Sequence, residues 1–138
     1  MSVFHLVLIR YIIKMRGNFR TYIPMKLDNV INHCRSLKHT TEDVKWESVL
    51  AFSIGQKMYC CISLDEKFGV SFKCTRGNFL ALTERPDIIP APYLAKYQWV
   101  KITRSAALPK KELFRLVADS QRLVYGGLPK RIQQTLSL

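Results

Sequence analysis

Acidic residues are scarce in this chain: ten Asp and Glu stand against 22 Lys and Arg in 138 residues, a formal charge of +12. No apolar run reaches the roughly 20 residues a membrane-spanning helix needs. The candidate, Val3 to Ile13, is short and interrupted by His5 and Arg10. It also makes a poor signal peptide, because Lys14, Arg16 and Arg20 follow the apolar run and no small-residue cleavage site comes behind. Gly-x-Gly-x-x-Gly and phosphate-loop motifs are missing, as are paired carboxylates in a plausible pocket, internal repeats and low-complexity runs. Cys34, Cys60, Cys61 and Cys74 show no Cys-x-x-Cys spacing, and His5, His33 and His39 match no metal-ligand pattern with them. These absences leave no cofactor or metal to expect. They make the cysteines small buried hydrophobes of a reducing, cytoplasmic protein.

Catalysis finds little support. A Ser or Cys nucleophile needs a base and an oriented partner. Cys34 follows His33, but adjacent residues on a helix do not face each other. No enzyme is expected.

What is present is positive charge, unevenly spread. Residues 1–24 carry +4 with no acid, residues 25–95 only +1, and residues 96–138 +7. A basic half beside a neutral one is the footprint of a polyanion binder, and the competing reading is a soluble basic protein whose charges are merely solvated. The length suits one domain, taken as residues 25–138. Residues 1–24 are expected to be a basic extension, with the native product starting at Met25. The competing idea is an amphipathic arm that lies on a membrane or on nucleic acid.

Leu27, Val30, Ile31, Cys34 and Leu37 follow helical spacing. A polar break, Lys38 to Lys45, leads to Trp46. Period-two alternation then predicts three strands, carried by Leu50, Phe52, Ile54; by Met58, Cys60, Ile62, Leu64; and by Phe68, Val70, Phe72, Cys74. Gly55-Gln56 suits a two-residue hairpin with Gly at the first position of a type II′ turn. Arg76 to Arg85 reads as a short helix stopped by Pro86. An extended loop with Pro86, Pro90 and Pro92 follows, then a brief strand at Tyr93 to Ala95 and a firmer one at Gln98 to Thr103. Pro109 opens a helix striped by Leu113, Leu116, Val117, Ser120, Leu123 and Val124, which Gly126 and Gly127 end, and Pro129 starts a last helix through Leu136. Ser120 reads as a core residue whose hydroxyl bonds its own helix four residues back. The fold class is α+β: an antiparallel sheet, a three-strand meander plus one or two further strands, on helices in the order α-β-β-β-α-β(β)-α-α.

The run from Pro86 to Val100, with Pro86-Asp87-Ile88-Ile89-Pro90-Ala91-Pro92-Tyr93 and Trp99-Val100, resembles the signature of the MmcQ/YjbR family. Trp46, the Gly55-x-Lys57-Met58 hairpin, Ser71-Phe72-Lys73, Ser120 with Leu123-Val124, and Leu128-Pro129-Lys130 extend the resemblance from Met25 to the C-terminus. One departure is Gln121, where the family commonly has an aromatic. The resemblance implies small bacterial proteins with an antiparallel sheet on helices, similar in layout to secretion-chaperone-like folds, and a DNA-binding role.

Strand parity suggests where such a role would sit. With Met58, Cys60 and Ile62 facing the helices, Lys57, Tyr59, Cys61 and Ser63 face outward, joined by Ser71, Lys73, Trp99, Lys101 and Thr103. That face would combine phosphate neutralisation with base stacking. The competing reading packs Trp99 and Tyr59 beneath the proline loop or a terminal helix. Lys110, Lys111, Arg115, Arg122, Lys130 and Arg131 offer a second basic surface on the C-terminal helices. The candidate nucleic-acid-binding residues are Lys57, Tyr59, Lys73, Arg76, Lys96, Trp99, Lys101, Arg104, Lys130 and Arg131. A protein-binding adaptor that docks an acidic partner is the alternative function, and a monomer or weak homodimer without membrane attachment is expected.

Overall fold

The computed structural model describes residues 25–137, so the expectations for residues 1–24 lie outside the described residues. The first helical stripe forms α1 (Met25–Ser36), with Leu27, Val30, Ile31 and Cys34 buried. The strands are β1 (Thr41–Lys45), β2 (Val49–Ile54), β3 (Lys57–Ser63), β4 (Val70–Lys73), β5 (Ile88–Pro90) and β6 (Trp99–Ile102). Helix α2 (Arg76–Thr83) separates β4 from β5, while α3 (Lys110–Gly126) and α4 (Lys130–Leu136) follow the sheet. The sheet is six-stranded in the order β1-β2-β3-β4-β6-β5, and every neighbouring pair is antiparallel. The α+β class and the antiparallel meander are as expected.

Helices α1 and α3 supply the covered face, where Leu113, Leu116 and Val117 join Leu50, Phe52, Ile62, Phe72 and Val100 in one core. A smaller cluster of Ala51, Cys61, Ala91 and Trp99 occupies the outer face.

Several local expectations are corrected. The polar break contains a strand, β1, whose first three residues are exposed. An edge strand held by its hydrogen bonds to β2 carries no apolar alternation to read. The brief strand lies at Ile88–Pro90 instead of Tyr93–Ala95, because Tyr93 sits at φ 67, outside the extended region. Pro90 is tolerated there because β5 is the opposite edge, where a missing N–H breaks no ladder. The hairpin residues Gly55 and Gln56 have φ of 55 and 67, a type I′ turn in place of type II′, with twist matched to the flanking strands. Pro109 caps α3 from outside instead of being its first residue.

The most consequential correction concerns parity. Phe52 pairs with Cys60 but Ser53 pairs with Met58, so Tyr59 is the extra residue of a β-bulge. The bulge reverses the side-chain alternation. Tyr59 and Cys60 both enter the helix-side core, and Met58 packs with the outer-face cluster. Ser120 is also differently engaged. Its hydroxyl donates to the Tyr59 carbonyl (2.6 Å) and accepts the Lys73 amide (2.9 Å), in place of a bond to its own helix.

Candidate nucleic-acid interface

Strand direction sorts the candidate cations between the two ends of the sheet. The β2–β3 hairpin defines one end, and Lys57 opens β3 there. Antiparallel pairing brings the last residue of β4, Lys73, and the first of β6, Trp99, to the same end, directly opposite each other. Arg76 begins α2 three residues after Lys73, and Lys96 precedes Trp99 by three. Gly55 lies so close to Leu128 and Ile132 that a Cβ there would stand 2.6 Å from the Leu128 Cδ1, which docks α4, with Lys130 and Arg131, against the hairpin. Lys57, Arg76, Lys96, Lys130 and Arg131 are exposed, and Lys73 is half-buried.

The Lys73 ammonium donates to the Tyr97 carbonyl (2.8 Å), and the Lys96 ammonium sits 5.1 Å from the centroid of the Tyr97 ring. A groove of about 530 Å³ opens beside them, lined by Lys73, Thr75, Asn78, Asp119 and Arg122 among others. The acids that approach this end are engaged by arginine: Glu42 by Arg35 at 2.9 Å, and Asp119 by Arg122 at 2.8 Å and Arg115 at 3.8 Å.

The opposite end is close to neutral, since Lys45, Lys67, Lys101 and Arg104 stand there among four acids. Glu47 lies in the β1–β2 turn, Asp65 and Glu66 in the β3–β4 turn, and Asp87 just before β5. Lys101 pairs with Glu66 (2.8 Å), and Arg104 approaches Asp87 (3.7 Å). These two candidates therefore belong to a different region from the other six cations, and their charge is compensated locally.

Neither candidate aromatic is available on the surface. Trp99 is 5% exposed, beneath the segment containing Ala91 and Leu94, so the packing alternative holds for it. Tyr59 is fully buried, and its hydroxyl contacts Thr40 Oγ1 (2.7 Å) and donates to the Cys34 carbonyl (3.3 Å). Burial raises its phenol well above the ordinary range. Gln121, the departure from the family pattern, is buried and donates to the Lys38 carbonyl (2.7 Å) and to Thr40 Oγ1 (3.2 Å). It ties α3 to the segment before β1.

The exposed aromatics that parity did not single out are Trp46, in the β1–β2 turn, Tyr93, after Pro92, and Tyr97, beside Lys96. Trp46 and Tyr93 occupy left-handed backbone, with φ of 52 and 67. The sequence signal was an aromatic inside a turn-forming stretch, which period-two reading passes over.

The buried thiols are poor nucleophiles. Burial pushes Cys61 up to about 12 against the opposing effect of Lys45, and Cys74 up to about 11 against Lys73, so both are neutral near pH 7. Among the described residues no group of three His, Cys, Asp or Glu converges to hold a metal. No helix among them is long and apolar enough to cross a membrane.

A family model described as YjbR matches residues 35–123. A crystal structure of Deinococcus radiodurans protein DR2400, with the family-model domain DUF419, shares this fold. Its TM-score is 0.72 at 24% identity, over 81% of this chain and 88% of that one. No curated protein matches the chain significantly.

Proposed function

The chain belongs to the YjbR family, and from that premise we propose that it is a non-enzymatic nucleic-acid-binding protein whose interface is the basic end of the sheet. The observation that carries this reading is the segregation of charge. Lys57, Lys73, Arg76, Lys96, Lys130 and Arg131 gather at the hairpin end, while at the other end Glu47, Asp65, Glu66 and Asp87 are balanced by Lys45, Lys67, Lys101 and Arg104. A surface basic at one end and balanced at the other steers a polyanion to the basic end.

The chemistry available there is phosphate neutralisation. Lysine ammonium groups on flexible stems act as point charges, with little base reading of their own. Base stacking on Tyr59 and Trp99 is not part of the proposal, since both rings are buried. Six phosphate contacts would cost roughly 10³ in affinity between about 50 and 200 mM salt, because bound counterions are released on association. The neutral thiols of Cys61 and Cys74, and the engagement of His33 by a backbone carbonyl, favour binding over catalysis. The same cationic end would also suit an acidic protein, the second reading.

Fluorescence-anisotropy titration with short single- and double-stranded DNA, at low and physiological salt, tests the proposal against a scrambled acidic peptide. Saturable binding that survives physiological salt and exceeds the peptide's supports it. Binding that vanishes there, or equals the peptide's, overturns it and directs the search to acidic protein partners.

A further inference from the structure

On the outer face of the sheet, away from the basic end, lies a cleft of about 570 Å³ bordered by Trp46 and Tyr93. These rings are 71% and 97% exposed. Large apolar side chains are seldom left so open, and a bulky residue at positive φ is strained as well. Two such aromatics, from turns 47 residues apart in sequence, border one cavity. Strain of this kind persists where the surrounding structure holds it, and it collects at ligand sites.

The floor carries the second indication. Ser63 on β3 and Ser71 on β4 both line the cleft, and neither hydroxyl bonds a described residue. Ser71 lies directly across from Lys101, whose ammonium is held by Glu66 at 2.8 Å. The charge that reaches the cleft is therefore already compensated. A ligand that complements it brings no net charge, offers flat apolar faces to the aromatics, and presents a polar edge to the hydroxyls. The volume falls within the usual range for small-molecule sites, roughly 300–1,000 Å³, which are apolar with a few placed polar groups.

We infer that this cleft binds an uncharged planar heteroaromatic ring, its faces against Trp46 and Tyr93 and its hydrogen-bonding edge toward Ser63 and Ser71. That ring has two sources, a free small molecule or an unstacked base of a single strand, and the chemistry is the same for both. The inference does not rest on the nucleic-acid reading, because the basic end and the cleft are separate and are tested by different variants.

The experiment is a titration of the full chain followed by ¹H–¹⁵N correlation spectra. Adenosine is the probe, cyclohexanol the aliphatic control, and a short oligonucleotide with or without one abasic adenine site separates the sources. Saturable shifts at Trp46, Ser63, Ser71 and Tyr93 with adenosine, and none with cyclohexanol, are expected. Trp46→Ala and Tyr93→Ala should each weaken adenosine by about tenfold, within the range lost with one stacking aromatic, while the remaining spectrum stays folded because both rings are exposed. A Ser71→Ala variant should bind more weakly without unfolding. Cleft shifts from the intact oligonucleotide but not the abasic one assign the ring to a strand, and shifts with adenosine alone assign it to a free ligand. Equal response to cyclohexanol, no saturation at millimolar adenosine, or shifts confined to the basic end overturns the inference, even if DNA binds.

Discussion

Ser120 donates its hydroxyl to the Tyr59 carbonyl across 2.6 Å, from α3 to the bulged residue of β3. The same oxygen accepts the Lys73 amide of β4. The β3–β4 ladder runs from Ile62 opposite Val70 to Cys60 opposite Phe72, so Tyr59 and Lys73 would be its next pair. The bulge separates them and the helix serine takes the place of the missing strand-to-strand bond. A fully buried hydroxyl thus satisfies two backbone groups at once.

Replacing Ser120 by Ala should therefore cost more than one ordinary hydrogen bond. The Tyr59 carbonyl and the Lys73 amide are orphaned together, and each buried unsatisfied group costs about 1–3 kcal/mol. A loss of about 2–4 kcal/mol in urea unfolding is expected, with faster amide exchange at Lys73. A loss below about 0.5 kcal/mol would mean that the strands close over the gap without the serine.

Gly55 is a second point where one atom matters. Its φ is +55, and a Cβ would stand 2.6 Å from Leu128 Cδ1 and 3.3 Å from Ile132 Cγ2. Gly55→Ala meets left-handed backbone strain of about 1–2 kcal/mol, and the Leu128 side chain must shift to make room, which loosens the packing of α4 on the hairpin. The unfolding midpoint should fall, and exchange protection should drop first in residues 130–136.

The division of cations between the two ends makes the binding proposal testable by residue. Lys57→Ala with Lys130→Ala should weaken DNA binding and reduce the salt slope by about 2, because each phosphate contact contributes roughly one unit. Lys101→Ala and Arg104→Ala, whose charges are met by Glu66 and Asp87, should leave the slope unchanged. Tyr59→Phe should leave binding unchanged while costing about 1 kcal/mol of stability through its lost hydroxyl bonds. Anisotropy titrations at several salt concentrations read all of these. A slope that drops equally in the Lys101 variant would place the interface elsewhere.

Much of the fold was legible because its apolar residues repeat with clear periods. The stripe Leu113, Leu116, Val117 and the alternation Val70, Phe72 lead directly to α3 and β4. The edges were harder. Thr41 to Lys45 is a strand by virtue of its partner, and no local property of Thr-Glu-Asp marks it. The facing of Tyr59 and Met58 differed for one physical reason: a single extra residue in β3 reverses the alternation on the hairpin side of Cys60, and no residue type in Lys57-Met58-Tyr59-Cys60 announces a bulge. Grouping Lys57 with Lys130 needed the contact between Gly55 and Leu128, 73 residues apart, which no periodicity encodes.

His33 gives the pH dependence a definite sign. Its ring stacks on Phe114 with centroids 4.3 Å apart and planes 7° from parallel, and its Nε2 donates to the Phe114 carbonyl at 2.8 Å. Burial lowers its pKa below the ordinary 6.5, with the carbonyl bond opposing part of that shift. Above about 6.5 the ring is neutral in both folded and unfolded chains, and the group contributes no pH dependence. As the pH falls below that value the unfolded chain takes up the proton first, so stability declines until the folded ring also titrates and then levels off. Urea midpoints measured between about pH 8 and pH 5 should fall in the native protein, and the decline should be smaller in His33→Gln, which keeps a donor for the carbonyl but does not titrate. An identical decline in both proteins would assign the pH dependence to other groups, and a midpoint that rises on acidification would reverse the sign assigned to His33.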